Sequence, residues 1–200
     1  ISAGAVHTRA RPPEPVKGIT IRPAGPDDLE AVAEGLNDFY QGYNFYEPHT
    51  AGSLVSWLAQ SPFETPFNHY YVVVDAAEEV LAGAAVSEQY RTIEMRVHHI
   101  PWAMRWLNKL VKFVPADGAL KQIGLSKIWF APGQLKAAQF LWETIRWEWR
   151  QKANTLTVFF GPRSPVADMV KIPAWLPKGH LVLAVNGPVP MNEDRLIYPI

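Results

Sequence analysis

The sequence predicts an α/β domain in which a mixed sheet is covered by helices. Strand-like apolar runs alternate along the chain with helical patterns instead of clustering in one half. The longest helical pattern, Gln134 to Lys152, lies between two such runs, Ile123 to Phe130 and Thr155 to Phe160, as in a strand–helix–strand unit. A length of 200 residues, 48% of them hydrophobic and 19% charged, suits one packed domain.

Residues 1–18, with Arg11-Pro12-Pro13-Glu14-Pro15, carry no apolar period and read as an N-terminal arm ahead of a single domain over 19–200. Ile19 to Pro23 is the first strand. After Gly25-Pro26 a helix follows, with Leu29, Val32, Ala33, Leu36, Phe39 and Tyr40 at helical spacing. An aromatic loop, Tyr40 to His49, leads to a second helix from about Thr50 to Gln60, with Leu54, Trp57 and Leu58 on one face. Tyr70 to Asp75 and Val80 to Ser87, joined by Ala76-Ala77-Glu78-Glu79, form an antiparallel hairpin. Residues from about 91 to 118 read as a Trp-rich insertion between the third and fourth strands, with a helix from Pro101 to Phe113 whose stripe carries Trp102, Trp106, Leu107 and Leu110. The chain resumes with the strand–helix–strand unit, a short helix capped by Ser164 with Pro165 in its first turn, and a strand from His180 to Val185.

Composition excludes several functions. Lys plus Arg equals Asp plus Glu at 19 each, so no global basic field points to nucleic acid. Without cysteine there is no disulfide, thiolate zinc site or cysteine nucleophile, which leans toward a reducing, cytoplasmic setting. No apolar run approaches the roughly 20 residues that span a bilayer, and the chain start lacks the features of a signal peptide, although a first residue Ile1 leaves upstream sequence open. His98-His99, His49 and His180 lack metal-site spacing, so no metal is expected. No Gly-x-Ser-x-Gly elbow surrounds Ser53, Ser56 or Ser87.

The stretch Lys127 to Trp142 carries most of the functional signal, because a strand breaks at Pro132-Gly133 and opens directly onto a helix. The first amides of that helix lack intrahelical acceptors and, with the helix dipole behind them, suit a phosphate or pyrophosphate.

With these elements in place, the order over roughly Ile19 to Gly187 resembles the GNAT family, the acyl-CoA-dependent N-acetyltransferases. Phe130-Ala131-Pro132 resembles the hydrophobic-x-Pro end of that family's fourth strand. The resemblance implies a mostly antiparallel mixed sheet, acetyl-CoA or another acyl-CoA as co-substrate, and an amine acceptor. It implies coenzyme contacts at Phe130, Gln134, Leu135, Lys136, Ala137 and Ala138, a fourth strand that splays, and a main-chain amide near Phe130 that polarises the acyl carbonyl. The family pattern Gln/Arg-x-x-Gly-x-Gly/Ala falls on Gln134, Ala137 and Gln139 or on Leu135, Ala138 and Phe140, so its glycines are missing and Lys136 is the compensating charge. The family's carboxylate on the fourth strand and tyrosine after the fifth are also missing; Glu88 and Tyr90, after the third strand, stand nearest as base and acid. Arg163 and Ser164 are weaker coenzyme contacts, since a solvated charge and a helix cap account for them equally well.

Tyr43, Phe45 and Tyr46 fall where such a fold borders its acceptor pocket, while Phe39 and Tyr40 continue the core stripe. The helix of the insertion is expected to pack on Trp142, Trp147 or Trp149; a lid, a membrane-surface helix and a homodimer contact are the alternatives. The functional expectation is N-acyl transfer to a small-molecule or peptide amine. Its rival is a catalytically silent GNAT-fold binding or assembly module that uses the tryptophans as its contact surface.

Overall fold

The computed structural model describes residues 1–99, 102, 106, 108, 114–172, 178–180, 192 and 194–199. Its strands are β1 (Ser2–His7), β2 (Ile19–Pro23), β3 (Asn68–Asp75), β4 (Val80–Ser87), β5 (Met95–Arg96), β6 (Ala119–Leu120), β7 (Gln122–Phe130), β8 (Thr155–Phe160) and β9 (Lys178–His180). Its helices are α1 (Leu29–Phe39), α2 (Ala51–Ala59), α3 (Leu135–Glu148) and α4 (Val166–Val170). Seven strands form one sheet in the order β2-β3-β4-β7-β8-β1-β9. Every neighbouring pair is antiparallel except β7 and β8, which α3 joins as a crossover.

Strand alternation divides the core in two. Val73, Val86, Ile123, Leu125, Leu156 and Val158 pack with α3 and α4, whereas Tyr70, Val72, Val74, Ala85 and Trp129 pack with α1 and α2. Helix starts are fixed locally. Thr50 and Ser53 form a reciprocal capping box on α2. Arg22 grips Asp28 through two bonds of 2.6 and 3.0 Å, and the Asp28 carboxylate accepts the Gly25 amide, so the end of β2 is tied to the start of α1. Ser164 accepts the Val166 amide at 3.4 Å at the start of α4, next to Pro165.

Two elements differ from the sequence reading. Residues 2–7, read as part of an arm, form β1 between β8 and β9, with Ser2, Gly4 and Val6 buried on one face. Small residues conceal the alternation: Ser-Ala-Gly-Ala shows little hydropathy contrast, although a Cβ at Gly4 would strike the Ile172 side chain. The last strand lies at 178–180, and 181–185 lie outside the described residues. Most of the helix read over Pro101 to Phe113 also lies outside them. Trp102 and Trp106 are helical but 76% and 67% exposed, and so do not cover the α3 tryptophans. Trp142 and Trp149 are buried in the core by the sheet instead. The β5–β6 ribbon frames the base of this segment. No helix among the described residues is long and apolar enough to cross a membrane.

Gly35 lies where α1 packs close against the sheet, because a Cβ there would overlap the Trp129 ring. Alanine should gain about 1 kcal/mol in helix propensity yet lose more through overpacking, which typically costs about 1–3 kcal/mol. Gly35→Ala is therefore expected to lower the urea midpoint; an unchanged or raised midpoint would show that the contact has slack.

Candidate functional site at the β7–β8 opening

β7 pairs with β8 only from Gln122↔Thr155 to Leu125↔Val158. Beyond Leu125, β7 continues to Phe130 without that partner, while β8 keeps its other neighbour, with Phe159 and Phe160 still paired to Ala3 and Ser2 of β1. An opening between two strands inside one sheet results.

A bulge in β7 produces it. On the β4 side, Ala85 pairs with Ser126 and Gly83 with Trp129, so Lys127 and Ile128 together face Ala84. Lys127 takes a left-handed backbone (φ 46), which costs a non-glycine residue free energy and requires support. Two buried hydroxyls supply that support: Tyr70 donates to the Lys127 carbonyl at 2.8 Å and Tyr40 to the Ile128 carbonyl at 2.7 Å. Burial pushes both phenols well above the ordinary tyrosine value, so they remain donors throughout the physiological range.

Beneath the opening, on the α1–α2 face, lies a cavity of about 230 Å³. Tyr40, Trp57, Ser87, Gln89, Ser126, Lys127 and Phe159 are in its wall. Gln89 crosses Gly124, where a Cβ would strike its amide, and accepts from the Thr157 hydroxyl at 3.2 Å, bridging the end of β4 to β8. The Lys127 ammonium stands 5.0 Å from the centroid of the Trp57 ring.

At the far end of β7, Gln134 caps α3 without a side-chain bond, and among the described residues no side chain caps the first-turn amides of Leu135 and Lys136, while Ala137 is 2% exposed. Ala137 and Ala138 are buried in the core, so their methyl groups stand where no ligand would meet them. The Gln139 amide is engaged by the Asp168 carbonyl at 2.9 Å, and Lys136 is exposed. The two alanines therefore do not crowd this helix start, while Gln139 and Phe140 are half-buried one turn further on. Phe130 ends β7 with its ring 5.0 Å from Phe39.

Glu88 and Tyr90 do meet, with the Tyr90 hydroxyl donating to Glu88 at 2.9 Å, but neither lines the cavity. Glu88 is 5% exposed and also holds His69 at 3.0 Å, Arg91 at 3.2 Å and Lys152 at 3.7 Å. Tyr90 packs with the α3 core, and the His69 ring lies 5.2 Å from Trp149 at the end of α3. Burial alone would raise the Glu88 carboxyl, yet Tyr90, His69 and Lys152 outweigh it and hold it below the usual carboxylate value.

Tyr43, Phe45 and Tyr46 lie beside the cavity wall without lining it. Tyr43 stacks edge-on against Tyr40, and its hydroxyl stands 3.4 Å from Ser164. Tyr46 contacts Tyr40 and Tyr198 and donates to Asn37 at 2.7 Å; Phe45 occupies a turn at φ 64. Tyr198 arrives through main-chain bonds between Asn44 and residues 196–198, so the C-terminal segment backs this aromatic loop. The reading of Tyr40 as core is correct, yet incomplete. Its hydroxyl holds the bulge, and a tyrosine where the stripe needed only a phenylalanine was the available signal. Nothing in the spacing of Trp57, Gln89 and Lys127 marks them in the sequence as residues of this site.

No protein-family model matches the chain, and no curated protein matches it. Solved structures do. The aminoglycoside antibiotic 6'-N-acetyltransferase AAC(6')-Ih from Acinetobacter baumannii superimposes with a TM-score of 0.52 at 9% identity, over 86% of this chain and 100% of that one. Saccharomyces cerevisiae N-myristoyltransferase with bound myristoyl-CoA gives 0.51 at 11% identity, over 80% of this chain and 37% of that one. At such identities the likeness establishes architecture alone: the splayed β7–β8 pair, the α3 crossover and the helices on both faces belong to a chain with the GNAT fold.

Proposed function

We propose that this chain is an acyl-CoA-dependent N-acyltransferase that uses the β7–β8 opening as its site. The single observation that carries the reading is the loss of pairing beyond Leu125↔Val158, directly between a cavity on one side and a free helix start on the other. An acyl-CoA would supply an activated thioester. Transfer then forms a bond from the amine nitrogen to the acyl carbon, breaks the carbon–sulfur bond, and leaves the amine proton on the departing thiolate. The chain's part is positional: amides of Leu135, Lys136 and Ala137 face the pyrophosphate, main-chain N–H groups near the bulge polarise the acyl carbonyl, and the cavity holds the acceptor. Tyr43 and Tyr46 shape the acceptor side through Tyr40, and Phe45 lies in the turn between them. The exposed Trp102 and Trp106 favour one second reading, a silent module that binds a partner.

Calorimetric titration with acetyl-CoA and free coenzyme A, at salt that screens diffuse attraction, separates the two readings. Saturation at one site per chain is expected, with Lys136→Ala weakening it roughly two- to fivefold, in keeping with the loss of one exposed charge. Absence of binding would overturn the enzyme reading and leave the binding module.

Tyr40→Phe removes only the hydroxyl that holds the Ile128 carbonyl. It should cost about 1–3 kcal/mol in urea denaturation and weaken coenzyme binding as well. A variant with full affinity would show that the opening does not depend on this bond.

Glu88 serves here as a tie between β3, β4 and the end of α3. Because its carboxyl is lower in the folded than in the unfolded chain, its contribution is complete above the unfolded value of about 4.3 and fades as pH falls through the folded value. Glu88→Gln should therefore lower the melting temperature at pH 7, with the gap to wild type closing as acid protonates Glu88. A gap that is constant with pH, or a large loss of turnover without loss of stability, would instead restore Glu88 as a base.

A further inference from the structure

The charge pattern of the cavity narrows the acceptor. Among the described residues Lys127 is the one charged residue in the cavity wall, the polar groups that share it, Ser87, Gln89 and Ser126, are neutral, and none of those that line it is Asp or Glu. Among the described residues Lys127 has no ion pair and no side-chain hydrogen bond, only the face of Trp57. Burial without a compensating anion depresses its pKa below the ordinary lysine value. His49, which feels the Lys127 charge, is itself held below the usual histidine value by burial and by that charge, so at neutral pH it adds no second cation. Glu47, which acts on the same imidazole, is exposed and outside the wall.

Lys127, half-buried in a wall whose described residues include no carboxylate, favours an anion there and disfavours another cation. Size points the same way. About 230 Å³ falls below the roughly 300 Å³ at which pockets for drug-sized ligands begin. Trp57, Tyr40 and Phe159 offer apolar walls to whatever carries the charge.

We infer that the acceptor is a small amine bearing a carboxylate, an amino-acid-like molecule whose carboxylate pairs with the Lys127 ammonium while its amine faces the β7–β8 opening. The inference rests on the acyltransfer reading for the reaction, but the carboxylate site stands on the cavity alone. Lys127 is thus a specificity-determining residue, and polyamines and other multiply charged cations are excluded from the site.

Initial rates with acetyl-CoA are to be compared for a panel of free amino acids, their carboxamides and spermidine. The acids should exceed their carboxamides by about tenfold or more in kcat/KM, the scale of one charge-assisted contact. Lys127→Met should raise KM for the acids by a similar factor and by more than it changes KM for the carboxamides; Lys127→Arg should restore part of the loss. Equal use of acids and carboxamides, preference for spermidine, or an unaltered KM in Lys127→Met would overturn the inference. A second arm needs no turnover: N-acetyl amino acids and their carboxamides are titrated into wild type and into a folded Lys127→Met protein. Binding of the acids alone, lost on substitution, supports the carboxylate site even if acetyl-CoA fails to bind and the acyltransfer reading falls. Failure of the acids to bind wild type sinks the carboxylate site whether or not acetyl-CoA binds.

Discussion

The bulge at Lys127 and Ile128 is the constraint on which the rest of the structure depends. Two residues facing one across the β4–β7 ladder turn β7 away from its direction, which ends its pairing with β8 and opens the sheet. A left-handed lysine costs about 1–3 kcal/mol. The two tyrosine hydroxyls return about 1 kcal/mol each, and burial of their rings and of Trp129 contributes about 1.5–3 kcal/mol apiece. Packing, more than hydrogen bonding, therefore holds the bulge, and the hydroxyls determine where the released carbonyls point.

An open sheet needs something to keep its far half in place. β8 has β7 beside it for four residues only, but β1 pairs with all six of its residues, and β9 extends the same edge. The N-terminal strand is thus part of the site's support although it contributes no side chain to the cavity wall. Arg9, just beyond it, pairs with Glu143, and the Arg9 amide donates to the Arg146 carbonyl, so the chain leaving β1 also secures α3.

The sequence made some of this legible and hid the rest for identifiable reasons. The β-branched run Val72-Val73-Val74, the stripe from Leu29 to Tyr40 and the Pro132-Gly133 break each carry a strong local signal, and the order of elements pointed to the fold. The bulge left no trace, because Gly124 to Phe130 reads as one continuous strand and lysine is not a residue that announces positive φ. β1 was hidden by its small residues. Glu88 and Tyr90 were legible as a pair, but not the face they occupy: that depends on how the chain turns at residues 89–91, which no hydropathy period records.

That turn sorts the charges of the molecule. Ser87 and Gln89 face the cavity, whereas Glu88 and Tyr90 face α3, so one short segment serves both sides of the sheet. On the α3 side a buried carboxylate is surrounded by donors, and its charge is settled within the fold. On the other side Lys127 has a ring for company and, among the described residues, no anion, which leaves its field directed at whatever enters. A protein indifferent to its acceptor's charge would lose nothing by exchanging these arrangements. Compensation behind the sheet and its absence in front together give the opening a sign, and that sign, rather than the widely shared outline of the fold, is where selectivity in this chain would reside.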